Sequence, residues 1–408
     1  MKLRAGFIPL LDCAVLAVAA RMGFAEREGL ELELVREASW ATIRDKLTIS
    51  HIGCAHILAP MVVASQLQAG NPKAPLVAPF ALSMNGNAIS LSNELWDEMG
   101  ASNATGAADR AANLKKVVEA RKTTGADRLT FGMVYPFSSH NYQLRYWLAS
   151  AGIDPDEDVN LVVIPPPFIV DYLREGFIDG FCVGAPWNSI GAREGVCRTI
   201  VTAAELWPMA PEKVLGVRET FAEQESEALA ALMRALKAAA RFTDAPNNRA
   251  EVAKLLSAHD LVGVDAPLLE AILSGQIVGH VGDPLPTYVV FNRSAATFPW
   301  RSHALWFYSQ MVRWGQVTHT PDAMEQAQRA YRPDIYRDVF TGSDVTLPAA
   351  NAKVEGALSA GVPVGSTTGH LVLEPDGFFD GRIFDPSDLD GYIGGFDIRR
   401  DPRSVFSA

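Results

Sequence analysis

The stretch from Leu3 to Val35, LRAGFIPLLDCAVLAVAARMGFAEREGLELELV, decides the fold of this 408-residue chain. Leu3 to Ile8 predicts a strand, and the Ala- and Val-rich run from Cys13 to Arg21 predicts a helix. Leu30 to Val35 alternates apolar and acidic residues, which is the period of a half-buried strand. Together they form a β-α-β unit. Because strand and helix patterns go on alternating along the chain, we predict α/β layers with a mostly parallel sheet.

The first apolar run also has the composition of a signal-peptide core, and three features argue against that interpretation. Pro9 and Asp12 interrupt the run, its leading basic region is minimal, and it passes into the segment from Arg21 without a polar spacer. The rest of the sequence has no stretch of about 18 uninterrupted apolar residues, so we predict no membrane span. The expected location is therefore the cytoplasm.

Composition and charge exclude further classes of protein. The chain is 48% hydrophobic and 20% charged, which indicates a globular protein. A net charge of -11 and the lack of a basic block argue against direct nucleic-acid binding, because phosphates require clustered Lys and Arg. The four cysteines lie far apart without a C-x-x-C pair, so buried free thiols are favoured over a disulfide framework.

Turn signals divide the chain into two lobes and an extension. The Asn-Gly turn in Met84-Asn-Gly-Asn predicts the crossing into the second lobe. A short strand at 51–53 and a helix at 57–69 are predicted before this turn, and a strand at 198–202 is predicted to rejoin the first lobe. We assign the domains as follows: 1–83 to the first part of lobe I, 84–188 to lobe II, 189–261 to the return into lobe I, and 262–408 to a C-terminal extension that packs on the lobes.

Three predicted strands of lobe II end in loops that suit a ligand. The first leads to Ser138-Ser-His140, the second to a proline run that includes Pro166, and the third to Gly184-Ala-Pro-Trp. In open α/β sheets such carboxyl ends line the ligand crevice. The helix that His140 precedes has free N–H groups and a dipole that favour an anion, although simple capping by a serine explains the same residues.

Five further candidates each have two interpretations. Gly184 belongs either to a hinge turn or to a cleft wall that admits the ligand. Asn85 and Asn87 form a turn, and their amides also suit an oxyanion at the lobe junction. Lys213 matters only if the fold carries it into the cleft, because a lone lysine is usually a surface residue. His56 follows another histidine by five residues, and packing or a ligand contact is favoured over a metal pair.

Catalytic signatures are missing from the sequence. It has no G-x-S-x-G elbow, no P-loop, no G-x-G-x-x-G after a strand and no H-E-x-x-H. We therefore predict a binding protein that is not an enzyme and that needs neither a cofactor nor a metal.

Ordered stretches between residues 6 and 315 carry a family resemblance: Gly6-Phe-Ile-Pro-Leu-Leu-Asp-Cys-Ala, Ala38-Ser-Trp-Ala-Thr-Ile-Arg-Asp-Lys-Leu, Asn85-Gly-Asn-Ala-Ile, Gly180-Phe-Cys-Val-Gly-Ala-Pro-Trp, Pro211-Glu-Lys-Val-Leu and Ser302-His-Ala-Leu-Trp-Phe. They resemble the NrtA/CmpA family, the nitrate- and bicarbonate-binding proteins of ABC uptake systems. Within that family the sequence is most similar to the cytoplasmic nitrate/nitrite sensors of the NasS type.

The resemblance implies a fold and a site. The fold is a periplasmic-binding-protein-like C-clamp of type II, in which two α/β lobes close on one oxyanion without chemistry. The family's site residues fall on His140, Pro166 and Lys213. A lysine at this last position supplies positive charge where bicarbonate-binding members look to have an acidic residue that holds a metal ion. The loop at His56 departs from the pattern of nitrate receptors, so the choice between nitrate and nitrite stays open.

The resemblance to the sensors also implies a regulatory role. The expected function is a cytoplasmic nitrate/nitrite sensor of nitrate assimilation, which sequesters an ANTAR-type RNA-binding antiterminator until the anion closes the clamp. One alternative is the substrate-binding component of a nitrate-type ABC transporter, with a start codon further upstream. A second is an enzyme on the same two-lobed fold, similar to some thiamine-precursor synthases.

Overall fold

Two five-stranded sheets organise the protein, for which a computed structural model describes residues 1–70, 74–100 and 104–400. The strands, in chain order, are β1 (Lys2–Phe7), β2 (Glu31–Arg36), β3 (Cys54–Leu58), β4 (Leu76–Ala81), β5 (Met84–Asn85), β6 (Asn87–Ser92), β7 (Thr130–Met133), β8 (Asn160–Val163), β9 (Gly180–Gly184), β10 (Cys197–Thr202), β11 (Lys213–Arg218), β12 (Val289–Val290), β13 (Val362–Val364) and β14 (Leu371–Leu373).

Helices cover both sheets and continue through the C-terminal part. They are α1 (Ala14–Arg21), α2 (Phe24–Arg27), α3 (Trp40–Thr48), α4 (Ala59–Gln66), α5 (Asn93–Met99), α6 (Ala107–Thr124), α7 (Ser139–Ser150), α8 (Ile169–Arg174), α9 (Trp187–Arg193), α10 (Ala203–Leu206), α11 (Glu219–Gln224), α12 (Ser226–Asp244), α13 (Arg249–Leu256), α14 (Ala266–Leu273), α15 (Arg301–Arg313), α16 (Pro321–Arg329), α17 (Pro333–Phe340) and α18 (Leu389–Gly394). Short 3-10 turns occur at Leu11–Cys13, Pro166–Phe168, Pro246–Asn248 and Arg293–Ala295.

Both sheets are mixed. The first has the order β2-β1-β3-β11-β4, in which β1 runs parallel to β2 and β3 while β11 runs antiparallel to β3 and β4. The second has the order β10-β6-β9-β7-β8, in which β7 runs parallel to its neighbours and β6 runs antiparallel to β9 and β10. The expectation of a mostly parallel sheet is therefore wrong. The strands by which the chain enters the second sheet and returns to the first, β6 and β11, run against their neighbours.

The opening β-α-β unit is confirmed. Strands β1 and β2 pair in parallel from Lys2 opposite Glu31 to Phe7 opposite Arg36, with α1 between them in the chain. The predicted N-cap of α3 is also present, since the Ser39 hydroxyl accepts a hydrogen bond from the Thr42 amide at 3.2 Å. These features depend on local patterns, which explains why the sequence reveals them.

Two strand predictions are corrected, the first in its position and the second in the sheet that it joins. The strand expected at 51–53 lies at Cys54–Leu58, where it is fully buried, and α4 starts directly after it. A short buried apolar run has no periodicity that separates strand from helix. The strand expected at 198–202 to rejoin the first lobe pairs antiparallel with β6 in the second sheet instead. Its partner is distant in sequence, so local pattern does not reveal it.

The C-terminal part ties the two sheets together. Every residue of α15 after Arg301 is buried, and this helix contacts both α4, beside the first sheet, and α7, beside the second. The division into lobes at residues 83, 188 and 261 otherwise stays a prediction, and residues 401–408 of the predicted extension lie outside the described part. The four cysteines are buried free thiols, as predicted. Within the described residues, no helix has the length and apolarity that crossing a membrane requires.

Candidate functional site

Polar side chains from both sheets meet in one buried cluster. Asp12 follows β1, His56 lies in β3 and Lys213 opens β11, all from the first sheet; Asn87 opens β6 and His140 lies in α7, next to the second. Each of them is at most 3% exposed. We call the cluster the inter-sheet site, and its members are Asp12, His56, Asn87, His140, Gly184, Glu212 and Lys213.

Lys213 is a buried cation rather than a surface residue. Its Nζ lies 2.8 Å from Asp12 Oδ2, and it also donates to Glu212 Oε1. The ring centroid of Trp40 lies 5.4 Å from the same nitrogen, within the range of a cation–π contact. Burial disfavours the ammonium, but the two carboxylates outweigh burial and raise the pKa of Lys213. The lysine therefore stays charged inside the protein.

Asp12 and His56 form a second buried pair. His56 Nε2 lies 2.8 Å from Asp12 Oδ1, so this ring supports the carboxylate that holds Lys213. Burial would raise the pKa of Asp12, but Lys213 and His56 together lower it well below its usual range. Burial lowers the pKa of His56 despite the neighbouring carboxylate. Near neutral pH we therefore expect an ionised Asp12 beside a neutral imidazole.

His140 lies in the first turn of α7. Ser138 caps this helix, since its hydroxyl accepts from the Asn141 amide at 3.1 Å. The cap leaves the amides of Ser139 and His140 without an intrahelical acceptor, at the positive end of the helix dipole. Capping and an anion-binding role are thus compatible at this turn.

The ring of His140 is the clearest unsatisfied group of the site. It is 0% exposed, and among the residues that the structure describes neither ring nitrogen has a hydrogen-bond partner. Its Nδ1 lies 3.8 Å from Glu212 Oε1, too far for a hydrogen bond. Burial and the charge of Lys213 hold its pKa well below the ordinary value, so the ring is a neutral donor. Buried polar groups nearly always have a partner, so the unpartnered imidazole makes His140 a candidate for a ligand contact.

Asn87, Gly184 and Glu212 join the two halves of the site. Asn87 Nδ2 donates to Glu212 Oε2 at 2.5 Å and to Gln143 Oε1 at 3.1 Å, so the first contact crosses between the sheets. Gly184 pairs with Asn87 in the second sheet. A Cβ atom on this glycine would lie 3.3 Å from Asn87 Oδ1 and 3.7 Å from Asp12 Oδ2. A side chain at this position would therefore point between Asn87 and Asp12.

Two predicted site residues are placed differently. The amide of Asn85 is used by the backbone, because it donates to the Thr287 carbonyl at 2.9 Å and accepts from the Ala210 amide at 3.0 Å. With a φ of 60°, Asn85 holds the turn between the sheets. Pro166 is buried in the turn after β8, the outermost strand of the second sheet. The structure thus brings His56, Asn87, His140, Gly184 and Lys213 together. The side chain of Asn85 instead stabilises the turn through hydrogen bonds to the backbone.

Sequence reasoning missed both carboxylates of the site. Asp12 entered only as an interruption of an apolar run, and Glu212 only as part of the Pro-Glu-Lys motif. A single acid inside an apolar segment is itself a signal, because a buried carboxylate requires a partner. Trp40 and Gln143 carry no comparable signal and are recognised only from their contacts.

The chemistry of the site is that of recognition. It offers the ammonium of Lys213, the neutral imidazole of His140 and the free amides of α7, which are donors that suit the oxygens of a small anion. The N–H of His56 serves Asp12, and the amide hydrogens of Asn87 serve Glu212 and Gln143. Within the described ranges, no group of three or more His, Cys, Asp or Glu side chains is arranged to hold a metal ion.

Comparisons with known proteins identify relatives over most of the chain. The model of the NMT1-like family matches residues 1–257. The chain is 34% identical to the nitrate import ATP-binding protein NrtC of Synechocystis sp., over 98% of this chain but only 56% of NrtC. It is 30% identical to the nitrate/nitrite binding protein NrtA of Nostoc sp., over 98% of this chain and 86% of NrtA. The chain thus spans little more than half of the first relative.

A solved structure has the same fold. The periplasmic nitrate-binding protein NrtA from Synechocystis PCC 6803 matches with a TM-score of 0.84 and 26% identity, covering 97% of this chain and 98% of that protein. The periplasmic-binding-protein-like fold predicted from the sequence is thereby confirmed.

Proposed function

Because this chain belongs to the NMT1-like family, we propose that it is a solute-binding protein which holds nitrate or nitrite in the inter-sheet site. The predicted resemblance to the NrtA/CmpA proteins is confirmed at the level of the family. The closer resemblance to sensors of the NasS type stays a prediction.

One observation carries the proposal: His140, fully buried at the start of α7, has no protein partner for either ring nitrogen in the described part of the chain. Lys213 and Asn87 face the same region through their shared contact with Glu212. An ammonium together with neutral donors suits a planar, weakly basic anion, because such donors orient the anion without titrating it. Nitrate and nitrite have this chemistry, and bicarbonate differs because it carries a proton of its own.

We propose further that the protein serves an ABC-type importer as its receptor. The relatives support this role, since one is named as a nitrate import protein and another as a periplasmic nitrate-binding protein. Receptor function would use closure of the two lobes, because every polar member of the site is buried and a ligand enters only when the sheets separate. The role of a cytoplasmic sensor that sequesters an ANTAR-type antiterminator stays a prediction.

Calorimetric titration with nitrate, nitrite and bicarbonate tests the binding proposal. We expect nitrate or nitrite to bind at one site per chain. His140→Leu should weaken binding roughly 10- to 150-fold, because a hydrogen bond to a charged group contributes about 1.5–3 kcal/mol. His303→Leu is the matched control, because His303 is also a buried histidine but lies outside the inter-sheet site, with its Nε2 3.4 Å from Glu355 Oε1. Equal affinity of wild type and His140→Leu would refute the site, and no binding of either anion would refute the function.

A pull-down from native cells separates receptor from sensor. Recovery of a membrane permease and an ATPase supports the import role. Recovery of an RNA-binding antiterminator that nitrate or nitrite releases supports the regulatory role instead.

A further inference from the structure

The charge balance of the inter-sheet site is unusual for a site that takes an anion. It contains one ammonium, Lys213, and two carboxylates, Asp12 and Glu212, all at most 3% exposed. With both carboxylates ionised, the three groups carry a net charge of minus one by their formal charges. A monovalent anion would bring the total to minus two in a region closed to water, where uncompensated charge is strongly disfavoured.

The other titratable groups near Glu212 do not supply the missing positive charge. Burial lowers the pKa of both histidines, and it raises the pKa of the thiol and the phenol that face the same carboxylate. All four are therefore uncharged near neutral pH. These four groups are His56 from β3, His140 from α7, Cys182 from β9 and Tyr331 after α16.

Geometry separates the roles of the two carboxylates. Asp12 is held as an anion by two close partners, Lys213 Nζ and His56 Nε2, both at 2.8 Å. Glu212 shares Lys213 with it and otherwise accepts from the neutral amide of Asn87. Burial and the charge of Asp12 raise the pKa of Glu212 despite the neighbouring ammonium. Of the two acids, Glu212 is the one whose protonation costs less free energy.

A proton on Glu212 would also find an acceptor. Asn87 Oδ1 is buried and has no partner among the described residues, and it belongs to the same amide that donates to Glu212. Rotation of this amide, together with that of Gln143, whose Oε1 accepts from it, would turn the oxygen of Asn87 toward Glu212, so the amide can accept from a carboxylic acid. An anion oxygen beside Glu212 is an alternative acceptor.

Lobe closure supplies the change of environment. Glu212, Lys213 and Asp12 belong to the first sheet, whereas Asn87 and His140 come from the second. In an open clamp, water would reach Glu212 while Lys213 stays beside it, so we expect the acid to be ionised near neutral pH. Closure removes that water and places the anion in the same region.

We propose that Glu212 is a specificity-determining residue, which takes up one proton from solvent when the cleft closes, so that the protein binds a monovalent oxyanion and a proton together. The inference rests on the proposed function. The step is a simple protonation, in which a proton from water or buffer joins a carboxylate oxygen of Glu212 and the net charge of the closed site stays at minus one. Nitrate and nitrite accept hydrogen bonds only, so they suit a site in which this acid is protonated and able to donate.

The test is calorimetry of nitrate binding to the full chain in buffers of different ionisation enthalpy, such as phosphate and Tris, from pH 6 to 9. We expect close to one proton taken up per nitrate at pH 8, and a Kd that weakens roughly tenfold per pH unit once the open-state acid is ionised. Glu212→Gln, which keeps the shape of the side chain without the charge, should abolish both effects and bind nitrate at pH 9 more tightly than wild type.

The outcomes separate this inference from the proposed function. Nitrate binding with no proton uptake and a pH-independent Kd in the wild type would overturn the inference and leave the anion site standing, whether or not the variant folds. Undiminished proton uptake by Glu212→Gln would overturn the assignment to Glu212. If nitrate and nitrite fail to bind at every pH, the proposed function fails and this inference fails with it.

Discussion

Replacement of Lys213 by methionine tests the buried charge network most directly. The ammonium donates one hydrogen bond, to Glu212, and forms an ion pair with Asp12 at 2.8 Å, so donor hydrogens remain for an anion. Loss of a charge-assisted hydrogen bond should weaken nitrate binding roughly 10- to 150-fold. The same change leaves two buried carboxylates without their cation, and breaking such a pair lowers the free energy of unfolding by about 3–5 kcal/mol.

The stability loss should depend on pH. Burial and Asp12 already raise the pKa of Glu212 in the wild type. Without the lysine we expect the pKa of Glu212 to rise further and that of Asp12 to rise as well, both above their values in the unfolded chain. Their contribution to stability is then fully present below the unfolded values, near pH 4, and is lost as pH rises through the folded values. Lys213→Met should therefore be more destabilised at pH 8 than at pH 5, as measured by urea unfolding.

Lys353→Met is the control, because Lys353 is a partly buried lysine, 15% exposed, that also contacts two carboxylates, Glu355 and Asp376. It should lose comparable stability and keep its affinity for nitrate. Equal affinity of both variants for nitrate would refute the contact of Lys213 with the anion. Wild-type unfolding of Lys213→Met at pH 8 would refute its role in stabilising the buried carboxylates.

Three other substitutions or treatments give sharp expectations. Gly184→Ala should fold with little loss of stability but bind nitrate more weakly, because its Cβ would lie 3.3 Å from Asn87 Oδ1; titration calorimetry with unchanged affinity would contradict this. Asn85→Ala should lower the free energy of unfolding by about 2–4 kcal/mol, because it removes several buried hydrogen bonds to backbone groups, and urea unfolding measures the loss. The folded fraction of this variant should bind nitrate with wild-type affinity. A stably folded variant that does not bind nitrate would instead show that Asn85 contacts the ligand. The four buried cysteines should resist a thiol reagent such as DTNB until the protein unfolds, since burial raises the pKa of Cys54 to about 12; rapid native-state labelling would refute that burial.

Much of the fold was predictable because it depends on short-range patterns. The strand β2, which the alternation predicts, and the serine caps of α3 and α7 depend on neighbouring residues, and the structure has each of them. The prediction fails where a segment is buried on all sides, as at Cys54–Leu58, since such a segment has no polar face to show its period.

The candidate site was predictable only in part. His140 follows β7 and lies in the first turn of α7, close to the strand-to-helix junction that the sequence predicts, and Gly184 ends the neighbouring strand β9. The roles of Asp12 and Glu212 were not predictable in the same way, because a carboxylate is a surface group by default and its burial depends on partners that are remote in the chain.

The sequence by itself determined the family, the α/β class, the opening β-α-β unit and the cap that exposes the amides of α7. Tertiary structure alone decided that β10 joins the second sheet, that the amide of Asn85 serves the backbone and that Lys213 is a buried cation between Asp12 and Glu212. The physical reason is the range of the interactions. Periodicity and capping act over a few residues, whereas desolvation and charge pairing depend on which distant residues the two sheets bring together.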